Sequence, residues 1–261
     1  MADLVPRIQQ AYFRNGPEHR SGADVSFLDI VKIFGFQSIK IGRWVTAAEQ
    51  QLAANLFFDA LSDLMLLLQV PEQVISLNQS LSLNFGIGGQ QGSCAFYQPQ
   101  GRLLALAKNA GGGSLAHEWF HAFDHYICSK LFTDELPASA FASSSWLNNA
   151  AVSPHPLNQY LDQSFAALFL SVSGSEPNNY VKTSAAFDQS HGIYYYAKPE
   201  ELAARAFEHM LQQQQLKNSF LVSGTLKSKA AKAGLYPDPT LSSRLAEHWL
   251  GYFSLLGRAL R

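Results

Sequence analysis

Charge is scarce in this sequence. Only 15% of its 261 residues are charged, against about 25% in an ordinary globular domain, and 19 Lys and Arg stand against 20 Asp and Glu. Without an excess of positive charge there is no field to neutralise a phosphate backbone or to hold an anionic bilayer, so nucleic-acid and membrane-surface binding are set aside. Cysteine is scarcer still. Cys94 and Cys128 cannot make a disulfide framework or a four-thiolate zinc site, and they read as buried thiols of a reducing compartment. Long apolar runs are missing too. The N-terminus reaches Arg7 and Gln9 before any stretch of signal-peptide length, and LMLLLQV at 64–70 and FAALFLSV at 165–172 are too short to cross a bilayer. The expectation is a cytoplasmic protein. Hydrophobic residues make up 47%, a normal globular share, which excludes a disordered chain and permits a substantial core.

Residues 1–33 are polar, carry Gly16, Pro17 and Gly22, and read as an N-terminal arm laid over the domain. Thr46 followed by Glu49 forms a capping box. The recurrence of Leu52, Leu56, Phe57, Ala60, Leu61, Leu64 and Leu68 at three- and four-residue intervals predicts a long amphipathic helix over 46–69, ended by Pro71. The period then changes: segments 74–77, 80–86, 93–99 and 102–108 cluster β-formers between Asn-, Gly- and Gln-rich turns and predict a small, mostly antiparallel sheet. Gly111-Gly112-Gly113-Ser114 leads into LAHEWFHAFDHYICSKLF, a second clear helix. Residues 134–191 read as loop-rich, with short helical signals around 159–172, and are a lid or binding-loop candidate. Pro199 opens a helix through about Gln215, and a last helix covers roughly Thr240–Leu260. The domain reading is an arm at 1–33, a central domain at 34–215 and a C-terminal helical extension at 216–261 packed on it.

His117-Glu118-Trp119-Phe120-His121 is an HExxH pattern. Residues four apart stand one turn above each other on a helix, so both imidazoles reach one metal ion while the glutamate reaches its water. Asp124 and His125 fall on the same arc as His117, Glu118 and His121, and Leu115, Ala116, Trp119, Phe120, Ala122, Phe123 and Ile127 fill the other side. A merely solvated polar face is the bland alternative, but so bulky a back must be packed in a core. Catalytic zinc sites usually take three protein ligands and leave one position open. The metzincin extension fails, since Asp124 and Ile127 stand where it needs Gly and His. The helix at 199–210 offers Glu201, Arg205 and Glu208 on a polar stripe, with Glu200 at its rim. Glu201 is the chosen third ligand, and an exposed Glu201–Arg205 pair is the alternative. The phenols of Tyr194, Tyr195 and Tyr196 are oxyanion candidates, or else packing groups.

The run from FGFQSIKIGRW to HEWFHAFDHYI, followed by YYYAKPEELAARAFEHM, resembles the zincin-like large polyvalent protein-associated domain 1 of phage and mobile-element proteins, over roughly 34–212. It also looks like the bacterial group labelled CLCA_X, a set read as metallopeptidases. More remotely, HEWFHAFDHY with Tyr194 to Phe207 is similar to the catalytic domain of anthrax lethal factor, a gluzincin whose Tyr and metal-binding Glu lie seven residues apart, as Tyr194 and Glu201 do. The resemblance implies an α+β zincin fold, with the sheet packed on the HExxH helix and further helices C-terminal. It implies zinc on His117, His121 and Glu201, Glu118 as general base, and Tyr194, or Tyr195 with a one-residue shift, as oxyanion helper. Asp124 and Arg205 would orient the ligands from behind. Phe120 departs from the pattern, where these families usually have Gly. The expected function is zinc-dependent hydrolysis of a peptide or protein substrate, with residues 102–108 as a sheet edge for an extended chain. A non-proteolytic zinc-binding module on the same scaffold, or a metal hydrolase of a non-peptide bond, are the alternatives.

Overall fold

The computed structural model describes residues 7–87, 95–107 and 113–261. Cys94, most of the 87–92 loop and Gly111 and Gly112 lie outside the described residues. The elements are α1 (Phe27–Phe34), β1 (Ser38–Ile41), α2 (Ala47–Leu68), α3 (Glu72–Ile75), β2 (Ser82–Phe85), β3 (Ala95–Gln98), β4 (Leu103–Leu106), α4 (Leu115–Leu131), α5 (Ala142–Leu147), α6 (Pro156–Phe169), α7 (Asn179–His191), α8 (Pro199–Gln213), α9 (Lys229–Lys232) and α10 (Pro239–Ala259). Two compact units emerge, one of residues 1–122 with 214–223, the other of 123–213 with 224–261. The division runs through α4, and so falls inside the span 34–215.

In the first unit, Thr46 accepts from the Glu49 N–H while Glu49 Oε2 accepts from the Thr46 N–H at 2.9 Å, so the capping box forms as the sequence predicts. By length and composition α2 is apolar enough to cross a membrane, which the short runs at 64–70 and 165–172 did not suggest. Its Ala53, Ala54, Phe57, Leu61, Leu64 and Leu68 are instead buried in the unit's core.

The four-stranded sheet has the order β1-β2-β4-β3, with β1–β2 and β2–β4 parallel and only β3–β4 antiparallel. The mostly antiparallel expectation is therefore wrong. A parallel pair needs a long crossover, and α2 supplies it between Ile41 and Ser82; the SIKI strand that makes this possible was not read as one. The hairpin β3–β4 turns on Gly101 and Arg102, both at positive φ. Because β4 sits between β2 and β3, residues 103–106 are an interior strand, and the sheet edge proposed there for substrate does not exist.

The expected strand at 74–77 is also wrong. Pro71 starts the short α3, and Leu77, Asn78 and Gln79 follow in left-handed conformation, held by Asn78 N–H to the Gln73 carbonyl at 2.8 Å and Leu81 N–H to the Ser76 carbonyl at 3.0 Å. The apolar VISL run fills the core of a turn: Val74, Ile75 and Leu77 are buried. Within the arm, Ser26 and Asp29 cap α1 reciprocally, and Phe27, Ile30 and Phe34 are buried.

The second unit is helical where a loop-rich lid was expected. His155 caps α6 ahead of Pro156 at its first turn, Asn178 caps α7, and Gly192 ends α7 in left-handed conformation. The polar composition that read as loop is the solvent side of α7, where only Tyr180, Ser184 and Asp188 are buried. The helix α10 packs along α6 and α8. Gly251 lets it approach closely, since a Cβ there would lie 2.8 Å from the Tyr160 ring. Trp146 and Phe165 stack on Phe169, and Phe207 meets Trp249 and Phe253 edge-on.

Phe57 meets Phe27, Phe85 and Phe220 edge-on or tilted at centroid distances of 5.1–5.8 Å. Phe57→Ala is expected to destabilise the chain by about 3–5 kcal/mol and Thr46→Ala by about 1 kcal/mol, both read by urea denaturation. Equal effects would mean that the aromatic cluster is not the unit's core.

Candidate metal centre

The start of α4 is built by a neighbouring segment. Gly113 donates its N–H to the Phe220 carbonyl at 2.7 Å, Ala116 donates to the Leu221 carbonyl at 3.0 Å, and Ser223 donates to the Gly113 carbonyl at 3.1 Å. Gly113 has φ +107, and a Cβ there would fall 2.0 Å from Ser223 Oγ, so only glycine fits. The back of the helix is locked as well: Trp119, fully buried, donates its indole N–H to the Ile75 carbonyl at 2.9 Å. The bulky Phe120 is accommodated at 0% exposure.

With the helix so fixed, His117 Nε2 and His121 Nε2 stand 3.1 Å apart, their rings at 80°. Two lone-pair nitrogens approach so closely only when one carries a proton or when both face a common cation. A tetrahedral zinc ion with Zn–N bonds of about 2.0–2.1 Å sets adjacent nitrogens about 3.3 Å apart. The pair therefore fits the metal. Glu118, on the intervening position, is buried, as is His121.

Past Ala122, α4 belongs to the second unit. Asp124, 1% exposed, accepts from the Ser143 N–H at 2.8 Å and its hydroxyl at 2.6 Å. It thereby caps α5, whose own N-cap residue Phe141 offers no side-chain bond. His125 is bonded to the Ala138 carbonyl at 2.7 Å. Cys128 is a buried thiol, its pKa raised by burial.

On α8, Glu201 is half-buried and Ser144 donates to Glu200 Oε2 at 3.1 Å. The exposed Glu201–Arg205 pair is not found. Arg205 is 3% exposed; its guanidinium donates to the Tyr196 and Leu235 carbonyls and lies between the Tyr180 and Tyr196 rings, 5.4 and 5.1 Å from their centroids. Tyr194 and Tyr195 are 67% and 43% exposed, with Lys198 Nζ 6.0 Å from the Tyr194 ring.

Sequence reasoning missed Asp188. Its buried carboxylate accepts three backbone N–H groups, from Tyr195 at 2.9 Å, Tyr196 at 3.1 Å and Ala197 at 2.8 Å, so the segment leading into α8 is rigid. The only available signal was a polar residue four positions before Gly192. Also unforeseen is a buried polar group around Glu208, which accepts from the Tyr236 hydroxyl at 3.1 Å. Burial first, then Glu208, pushes the Tyr236 phenol well up. Beside it, His209 stacks on Tyr236. Gln213 Nε2 lies 2.7 Å from His209 Nε2 and can only donate there, so Nδ1 carries the proton toward Thr225 Oγ1 at 3.1 Å.

Asp188→Ala leaves three N–H groups without their acceptor; it is expected to lower stability by about 1–3 kcal/mol and to open Tyr195–Ala197 to hydrogen exchange. Unchanged exchange at these amides would refute the latch. Burial holds the His209 pKa below its ordinary value, so the folded chain keeps it neutral while the unfolded chain takes up a proton below about pH 6.5. Its contribution is present above that pH and lost as pH falls through it. His209→Gln is accordingly expected to flatten the fall of Tm between pH 7 and 5.

Residues 187–260 match the family model of the large polyvalent protein-associated domain 1. The match takes in Asp188, Tyr194, Glu201 and Arg205 but not His117–His121, and it shares only 187–212 with the span 34–212 over which the sequence resembles that family. No curated protein and no solved structure matches the chain.

Proposed function

We propose that the protein is a zinc-dependent metallopeptidase in which His117, His121 and Glu201 hold the metal. The observation that carries this reading is the 3.1 Å approach of two imidazole nitrogens on a helix that also presents a buried Glu118. The choice of Glu201 rests on the sequence, in which the helix opened by Pro199 carries an acidic stripe and Glu201 follows Tyr194 by seven residues. Two neutral imidazoles and a carboxylate are the donor set of a catalytic zinc site with an open position.

Zinc held by these residues would supply Lewis acidity to the scissile carbonyl and would lower the pKa of a water there toward ~7. Glu118 takes the proton of the attacking water and returns it to the leaving amine, the ordinary work of a carboxylate between two ligand histidines. Asp188 keeps the backbone of Tyr195–Ala197 in place, next to the exposed Tyr194. Tyr194 then donates to the developing oxyanion.

Elemental analysis of the purified chain is expected to find about one zinc per chain. Glu118→Gln should keep that zinc and lower kcat on a peptide library by about 10²–10⁴-fold, whereas His121→Ala and Glu201→Ala should lose the metal. Zinc retained by Glu201→Ala and lost from Glu208→Ala would move the third ligand. Zinc bound without hydrolysis would leave a metal-binding interaction module. Tyr194→Phe should lower kcat about 10²–10³-fold with little change in KM; no change there assigns the role to Tyr195 or to neither.

A further inference from the structure

Asp63 is an acidic residue at 0% exposure on the long helix α2, far in sequence from any residue with a catalytic reading. Every partner it has comes from elsewhere in the chain. Arg14 donates from Nε to Oδ2 at 2.6 Å and from Nη2 to Oδ1 at 2.7 Å, His19 Nε2 lies 2.8 Å from Oδ1, and Asn218 Nδ2 donates to Oδ2 at 2.8 Å. The carbonyl end of the Asn218 amide is used as fully: Oδ1 accepts from the Phe220 N–H at 2.9 Å and the Leu221 N–H at 3.1 Å. One side chain thus fixes the turn whose carbonyls, Phe220 and Leu221, accept from Gly113 and Ala116 at the head of the HExxH helix.

The chain of bonds is continuous from the N-terminal arm to the residue before His117. The first N–H groups of a helix have no partner inside it, so their external acceptor decides where the helix begins and how it is rotated. Here that acceptor is carried by Asn218, which Asp63 orients, and Asp63 is held in turn by Arg14. The arm also runs antiparallel to the same segment, Asn15 donating to the Lys217 carbonyl at 3.1 Å and Ser219 to the Phe13 carbonyl at 2.9 Å. A bidentate arginine clamp of this kind suits positioning more than bulk stability.

We infer that Asp63 and Asn218 are positioning residues for the His117–His121 pair, and that the N-terminal arm acts through them, through Arg14, to set the geometry in which the metal is held. The first half of this, the placing of the helix head, stands on the bonds alone; its consequence for metal rests on the zinc reading above.

The test uses the full chain with three variants. Asn218→Ala removes the link, Arg14→Gln loosens it from the arm, and Arg20→Ala is the control. Arg20 ties the same arm to the same helix through Asp59, at 3.0 and 3.2 Å, but has no bond to 218–221. In the metal-free chain, Asn218→Ala is expected to speed hydrogen exchange at the Ala116 amide at least tenfold relative to the β2 amides, Arg14→Gln less, and Arg20→Ala not at all. With zinc, competition against a chromophoric chelator should show affinity weakened about 10–100-fold in Asn218→Ala, the range for groups that orient ligands, with Arg20→Ala unchanged and the cobalt-substituted spectrum altered only in the first. Ala116 exchange that is unmoved by Asn218→Ala, or moved equally by Arg20→Ala, overturns the inference. If Asn218→Ala does not fold, the same comparison between Arg14→Gln and Arg20→Ala decides. A parent chain that binds no zinc overturns the metallopeptidase reading instead, while the exchange result still decides the positioning claim.

Discussion

The hydrogen bond from the Ala116 N–H to the Leu221 carbonyl settles where α4 begins, and with it the direction in which His117 and His121 face. A helix has about 100° between successive residues, so a start displaced by one position would turn both imidazoles away and bring Ala116 and Phe120, or Glu118 and Ala122, to their place. Gly113 makes the bond reachable, because its left-handed backbone lets residue 113 lie against Ser223 without a side chain between them. Trp119 completes the constraint from behind, since an indole that must keep its bond to the Ile75 carbonyl cannot rotate out of the core. The chemistry of the pair follows from these three contacts.

Local signals in the sequence were readable where one element decides its own form. The capping box at Thr46, the proline-led start of α8, and the polar arc of α4 all depend on residues within a turn or two of each other. The sheet was not readable for the converse reason. Strands of four residues carry too few alternations to reveal whether a neighbour runs parallel, and the parallel pairing of β1 with β2 depends on a 22-residue helix between them. The apolar VISL segment has the composition of a strand, yet the three left-handed residues after Ile75 make it the inside of a turn. Hydrophobicity reported burial correctly and backbone path wrongly.

The donors of the candidate site were legible and their supports were not. His117, Glu118, His121 and Glu201 announce themselves by spacing and by helical face. Asp63, Asn218 and Asp188 do not, because each is a buried polar group whose partners lie 44 to 155 residues away or are backbone atoms. Arg205 is instructive. On a helical wheel it belongs to an exposed stripe with Glu201, but its guanidinium is enclosed by two tyrosine rings and two carbonyls. A buried charge needs such a shell to be tolerated, and a shell made of carbonyls leaves no trace in composition or charge pattern.

The family match begins at residue 187 and ends at 260, so it covers the Asp188 latch, α8 with Glu201 and Arg205, and α10. It stops short of α4. The two halves of the proposed ligand set therefore rest on different kinds of support: Glu201 lies in the stretch that matches a family model, whereas the histidines stand on the geometry of their own helix. Asp188 and Arg205 hold α8 and the segment before it through backbone atoms, a device that serves any function needing that segment still, metal or not. The His117–His121 approach is different, since two imidazole nitrogens at 3.1 Å on a helix anchored at its head and its back have few uses other than sharing a proton or a cation. A carboxylate next to His117, buried as His121 is, suits the cation reading proposed above, because a zinc site with an open position uses a carboxylate beside it as base.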